Sequence, residues 1–190
     1  MAPDVMMAAV RVEPAADELA DFEGVVQLHW AAVLRYVMAS VRDRDAAETI
    51  TQDCFMRAHQ ARGRFRGECS VRTWLMQIAV NLVRDYGRNR RLQFWKRTQE
   101  SAVDLNTAGE WIPNRDLSPE ARVSAAEQVR AVWRAAGRLS ERQRTVFLLR
   151  FVEDMELLEI AEATGMKEGT VKVHLFRALQ AVREEMRRQA

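Results

Sequence analysis

Between Phe22 and Val41 the apolar positions recur every three or four residues: Phe22, Val25, Val26, Leu28, Ala32, Val33, Tyr36 and Val37, joined by His29, fall along one side of a helix. This spacing predicts a first helix that stops near Val41. Asp43 or Asp45 can cap a second helix, in which Ala46, Ala47, Ile50, Cys54, Phe55 and Ala58 share a face. Gly63 and Gly67 mark a loop from Ala61 to Ser70, and Ser70 is the expected N-cap of a third helix. That helix buries Val71, Trp74, Leu75, Ile78, Ala79, Leu82, Val83 and Tyr86. Three helices of this kind close a small core, with Trp30 and Trp74 as bulky fillers. From Leu92 to Leu117 the periodicity lapses around Asn106, Gly109, Pro113 and Asn114. It returns from Ala121 to about Gly137 and from Ser140 to Phe151, followed by two shorter helices. No strand-like alternation of any length appears, so the expected fold class is all α: two small helical domains joined by a flexible acidic linker. The boundaries expected are a disordered tail over 1–20, a first domain over 21–92, a linker over 93–119 and a second domain over 120–190. Trp111 and Ile112 in the linker would be awkward in water and are expected to dock on something.

Composition narrows the class. Only 8 Gly and 4 Pro in 190 residues agree with helices, and 48% apolar with 29% charged residues describes a globular chain. No apolar run approaches the roughly 18 residues of a membrane span, and the first residues lack a basic start followed by an apolar block. No membrane insertion and a cytoplasmic location are expected. Cys54 and Cys69 stand without a C-x-x-C or a nearby Cys/His set, which points to no metal, no cofactor and no disulfide framework. No catalytic constellation is visible either, so an enzyme is not expected. The net charge of +2 conceals a segregation: Lys and Arg outnumber Asp and Glu by 10 to 2 over residues 62–97, and are outnumbered 2 to 6 over 98–127. A basic block followed by an acidic one suggests a polyanion-binding surface beside a segment that mimics polyanions.

The stretch LLEIAEATGMKEGTVKVHLFRALQAV has the spacing of a helix-turn-helix. Ala161 lets two helices cross closely, Gly165 accepts the positive φ of the turn, and Val171 fills the space between the helices. If the second helix buries Val171, Leu175, Ala178 and Val182, then Thr170, Lys172, Val173, Phe176, Arg177 and Gln180 face outward, as on a helix that enters a major groove. Lys172 and Arg177 suit guanine edges or phosphates, and Val173 and Phe176 suit thymine methyls. His174 sits at the edge of the buried face. The alternative is an αα-hairpin whose Phe176 meets a partner protein.

A second polar edge runs along the third helix through Gln77, Asn81, Arg84 and Arg88, flanked by Ile78 and Asp85. Phe65 and Arg66 precede it in the loop, and Arg90, Arg91, Lys96 and Arg97 follow it. Basic side chains grip phosphate, while aromatic and amide groups suit bases already out of the duplex.

With these stretches in view, DAAETITQDCFMRAHQ, RFRG, WLMQIAVNLVRD, LSERQRTVFLLRF and EIAEATGMKEGTVKVHLFRA, in this order, resemble a bacterial RNA polymerase sigma factor of the sigma-70 family. The chain is similar to the compact extracytoplasmic-function (ECF) group. The resemblance implies an alternative sigma factor that binds core polymerase, recognises minus-35 and minus-10 elements and promotes melting. It implies that Asp45, Glu48, Gln52, Asp53 and Phe55 meet the clamp coiled coil of the largest polymerase subunit, with the flap as a further contact. It assigns Phe65, Arg66, Gly67, Ile78, Asn81, Arg84, Asp85 and Arg88 to the minus-10 element, including a flipped base of the melted non-template strand. It assigns Lys172, Val173, Phe176 and Arg177 to the duplex minus-35 element, with Thr170 and His174 nearer the backbone. An anti-sigma factor is the remaining implied partner, and the acidic linker would thread toward the active-site cleft.

Two departures from the family pattern bear on readout. Val173 and His174 stand where many relatives carry Ser-Arg, and Asp154, Met155 and Glu156 replace a common Gly-Leu-Ser before the helix-turn-helix. Two rival readings are a helix-turn-helix regulator that is not a polymerase subunit, and a nuclease with converging Asp43, Asp45 and Asp53.

Overall fold

The computed structural model describes residues 19–96 and 119–188. Their elements are α1 (Phe22–Val41), α2 (Arg44–Ala61), a short 3-10 turn (Arg62–Arg64), α3 (Val71–Lys96), α4 (Pro119–Arg138), α5 (Glu141–Phe151), α6 (Leu157–Thr164) and α7 (Glu168–Arg187). All regular structure among the described residues is helical. The expected N-terminal tail, most of the linker and its Trp111 and Ile112 lie outside the described residues.

Short polar side chains set the starts. The Asp21 carboxylate accepts the Gly24 amide at 3.0 Å, and Asp43, rather than Asp45, accepts the Ala46 amide at 3.0 Å. Ser70 accepts the Thr73 amide at 3.1 Å, and the Ser140 amide donates to the Gln143 side chain at 3.1 Å. Each of these bonds satisfies an amide that the first helical turn would otherwise leave unpaired.

α1, α2 and α3 enclose a core of Val33, Tyr36, Val37, Ala47, Cys54, Ala58, Leu75 and Ala79, all essentially without solvent contact. Leu28, expected inside, is 68% exposed. It lies on the flank of the stripe, on the far side from Val37, so the packing that seats Val25, Val33 and Tyr36 turns it outward. α3 buries more than one stripe. Thr73, Met76 and Val80 are also inside, and they share a side with Arg72, whose guanidinium reaches Glu153 in the second group of helices.

In that second group, α4 and α5 pack on α7, and α6 joins α7 through the predicted turn. Gly165 ends α6 with φ of 68°, Ala161 and Val171 are buried, and Met155 is enclosed beneath them. The last helix is not short: α7 has 20 residues, as many as α1. Its burial continues through Ala178 and Val182 to Glu185, which Arg138 of α4 holds at 2.5 Å, so its final turns keep a partner. The two groups touch along two seams, α3 against α6 and α1 against α5.

Tyr36 is enclosed at the second seam, where burial pushes its phenol up to about 12, opposed by nearby Thr145. Cys54 is similarly shut in, its thiol pushed up to about 12 by burial while donating to the Leu75 carbonyl at 3.5 Å. At about pH 8 a soluble thiol reagent should therefore modify the half-buried Cys69 and leave Cys54 intact until the chain unfolds, as mass spectrometry would register. Gly165→Ala should destabilise the fold by about 1–2 kcal/mol through the left-handed backbone alone, since a Cβ there meets nothing within 4 Å. Urea unfolding should show that loss, with Gly165→Asn losing less.

Candidate nucleic-acid interface

Once the core has taken its share, α3 is left with an outward line of Gln77, Asn81, Arg84 and Arg88, all exposed. The line is internally ordered: Arg84 donates to the Asn81 amide oxygen at 3.3 Å, and Arg88 to the Asp85 carboxylate at 2.9 Å. Asp85 thus steadies a cation beside it. Ile78 packs half-buried against the core and supports the line from one side.

The preceding loop meets the N-terminal part of this edge. Gly67, with φ of 71°, turns the chain in a backbone region that side chains rarely occupy. The Phe65 ring rests on Trp74 with centroids 4.9 Å apart and planes tilted by 39°. Between loop and helix opens a cleft of about 290 Å³ lined by Arg64, Phe65, Arg66, Glu68, Cys69, Trp74 and Gln77. Aromatic faces beside guanidinium groups suit a planar base and its phosphate. Of the residues expected at the minus-10 element, Phe65 and Arg66 line this cleft, while Asn81, Arg84 and Arg88 continue along the helix beyond it. Trp74, expected to fill the core, is half-exposed and walls the cleft instead. Arg64, Glu68, Cys69 and Gln77 complete the lining. The sequence signal that could have found it is a tryptophan one turn before Gln77 and nine positions after Phe65.

On α7 the outward face carries Thr170, Lys172, Val173, Phe176 and Arg177, with Val173 47% and Phe176 59% exposed. Two apolar side chains so open to water on a well-packed helix are costly without a partner. Lys172 is tied to Glu168 one turn back at 2.6 Å, which holds its ammonium near the start of the helix. His174 is half-buried and its Nδ1 is enclosed without a hydrogen bond, so the ring faces the packed side rather than the open one.

A third surface lies on α2. Asp45 and Gln52 are exposed, and Glu48 and Asp53 are half-exposed, paired with Arg44 at 3.1 Å and Arg57 at 3.8 Å. Phe55 does not belong to it: 5% exposed and stacked on Trp30 at 5.5 Å, it is a core residue that cannot meet a docking protein. The apolar periodicity already set Phe55 on the buried face with Cys54 and Ala58, and that placement, not the clamp contact implied by the resemblance, is the one the packing follows. Met56, 57% exposed one turn after Gln52, offers the apolar contact on this face that Phe55 does not.

The three acids of a nuclease reading do not converge. Asp43 caps α2 and Asp53 pairs with Arg57, and no group of three or more metal-ligating side chains occurs among the described residues. No described helix is long and apolar enough to cross a membrane.

Comparison with known proteins agrees with this arrangement. Residues 25–93 match the sigma-70 region 2 family and residues 130–182 match sigma-70, region 4, which together span well over half of the chain. The chain is 25% identical over 166 residues to the ECF RNA polymerase sigma factor SigW of Bacillus subtilis, covering 87% of this chain and 89% of that protein. It is 29% identical over 163 residues to the RNA polymerase sigma-H factor of Pseudomonas aeruginosa, covering 85% and 83%. Among solved structures, the sigma factor RpoE of Bartonella quintana, in complex with the anti-sigma factor NepR, superposes with a TM-score of 0.69 over 88% of this chain and 97% of that one, at 20% identity. CnrH in complex with the cytosolic domain of CnrY gives 0.64 over 93% and 94%, also at 20% identity. With both family regions in order and a helical fold shared with these factors, the chain belongs to the sigma-70 family, among the extracytoplasmic-function sigma factors.

Proposed function

We propose that this chain directs core RNA polymerase to a two-part promoter and opens it, acting as a binding subunit with no chemistry of its own. The observation that carries this reading is the cleft between Phe65 and Gln77 continuing into the exposed Asn81–Arg84–Arg88 edge. A protein that reads only duplex DNA has no use for stacked aromatic walls next to an amide; one that holds a melted strand does. In this reading Phe65, Arg66 and Trp74 receive a flipped base of the non-template strand, Gly67 gives the loop its turn, and Asn81 reads an exposed base edge. Arg84 and Arg88, steadied by Asn81 and Asp85, hold phosphates, with Ile78 behind them as support.

The outward face of α7 is the minus-35 reader: Lys172 and Arg177 take hydrogen-bonding contacts in the major groove, Val173 and Phe176 take thymine methyls, and Thr170 lies nearer the backbone. His174 has a packing role there, consistent with its enclosed Nδ1. On α2, Asp45, Glu48, Gln52, Asp53 and Met56 form the surface for the clamp coiled coil of the largest polymerase subunit, with the flap meeting the C-terminal group. The complex of one structural relative with an anti-sigma factor supports a protein inhibitor for this chain as well.

Transcription by purified core polymerase on a promoter library tests the reading. Start sites that appear only when the chain is added support it; duplex binding without directed starts would leave a helix-turn-helix regulator as the explanation. Within the sigma reading, Asn81→Ala should lower promoter opening by about tenfold with little change in initial duplex binding, as one lost base contact implies, and permanganate footprinting would read the difference. Lys172→Ala should instead weaken closed-complex formation: by about 1–3 kcal/mol with relaxed specificity at one position if it contacts a base, or uniformly across sequences, with the salt slope of binding falling by about one, if it contacts phosphate.

A further inference from the structure

The outward face of α7 carries one charge of the wrong sign. Glu168, the first residue of the helix, stands beside Lys172, Val173, Phe176 and Arg177, and the next acid along α7 is Glu184. A carboxylate at the leading end of a DNA-reading helix repels phosphates of every sequence alike, so it lowers affinity for duplex in general. Its partner is Lys172, one turn on, whose Nζ lies 2.6 Å from Oε1, with the two side chains 46% and 58% exposed. Glu168, Lys172 and Phe176 follow one another at spacings of four and so share a line along the helix. Beside this line on the outward side is Gly169, which is exposed. A Cβ there would meet nothing within 4 Å, so no packing inside the protein asks for a glycine, a residue that weakens a helix. Its effect is to leave the pair open to a surface that approaches from outside.

We propose that Glu168 and Lys172 act as one unit that reads a single G·C pair of the minus-35 element, Lys172 donating to guanine O6 and N7 and Glu168 accepting from the N4 amino group of the paired cytosine. The inference rests on the reading of α7 as the minus-35 helix, and adds which base pair it selects and which residue sets the selection.

The chemistry of the two groups favours that base pair. In the major groove a G·C pair shows two acceptors on guanine and, next to them, the cytosine amino donor. An ammonium offers only donors and an ionised carboxylate only acceptors. Held together as they are, they set a donor beside an acceptor, the complement of O6 beside N4. On the far side of the cytosine amino group lies only a C–H, so the second carboxylate oxygen meets no lone pair. In an A·T pair the adenine amino group lies between two acceptors, N7 and thymine O4, and a carboxylate aimed at it is repelled on whichever side the ammonium leaves uncovered. The pairing also withdraws Lys172 from the phosphates. An ammonium already neutralised by a carboxylate adds little counterion release on meeting the backbone, so its contribution to sequence-independent binding is small. Affinity for duplex in general is given up, and discrimination at one position is gained.

Promoter selection from a randomised duplex library by the full chain bound to core polymerase tests the pair. Wild type should select G·C at one position of the upstream element, and Glu168→Ala should reduce that preference by roughly tenfold while the other positions keep theirs. The same variant should bind a mixed-sequence duplex more tightly, with a salt slope steeper by about one, because Lys172 is then released to a phosphate. Glu168→Asp separates base reading from helix stability. It keeps a negative charge at the start of α7, where the helix dipole favours it, but draws the carboxylate back by one methylene. Its thermal unfolding by circular dichroism should match wild type, and its preference for G·C should fall as that of Glu168→Ala does. Promoter choice by Glu168→Asp equal to that of wild type would assign the acid to the helix start alone and overturn the inference. So would a Glu168→Ala variant whose choice is unchanged, or whose preferences weaken evenly across the upstream element. Failure of the promoter reading is a separate result: the wild-type chain with core polymerase then selects no promoter at all.

Discussion

Helix α3 is pressed from two sides, and most of what the molecule presents to nucleic acid follows from that. Leu75, Ala79 and Leu82 are buried with α1 and α2, while Thr73, Met76 and Val80 are buried on the side that faces α6. Each large apolar side chain so placed contributes about 1.5–3 kcal/mol, whereas exposed pairs such as Arg88–Asp85 contribute about 0–1. Packing therefore decides how the helix is rotated, and charge only orders what is left. The remainder is a narrow strip, and Gln77, Asn81, Arg84 and Arg88 occupy it.

The same pressure explains the turn that departs from the family pattern. Asp154 adopts φ of 50°, a left-handed conformation that Asp tolerates better than most residues other than Gly. Met155, fully enclosed, fills the space beneath the helix-turn-helix where the common pattern has Leu. Glu156 precedes α6, and its amide donates to Glu159 at 2.8 Å, so the helix start is satisfied without a serine. Three substitutions keep three roles. The turn also carries Glu153 into the seam between the helical groups, where Arg35 and Arg72 pair with it.

Several sequence expectations failed for a common reason. Leu28 and Trp74 are large apolar residues at the edge of a stripe, where periodicity gives a direction but not a depth. Phe55 is inside, stacked on Trp30, as its stripe predicts, which leaves the clamp contact that the resemblance implied without it. Leu28 went outside because no helix among the described residues covers that flank. Trp74 stopped halfway because the Gly67 turn brought Phe65 against it and left a cleft beside the pair. Met76 and Val80 went unread as a second buried face because nothing local tells a helix that it has another neighbour.

By itself the sequence determined the helices, their caps, the left-handed Gly165 and the two polar edges, because these depend on backbone conformation and on residues within a turn of one another. The family follows from the same local motifs. Only the tertiary structure decided which aromatics wall the cleft, which residue on α2 is exposed, and that a glutamate next to the helix-turn-helix is clasped by arginines 118 and 81 positions earlier. Such contacts depend on how separate helices stack, and the cost of burying a charge is set by whichever partner the fold brings to it.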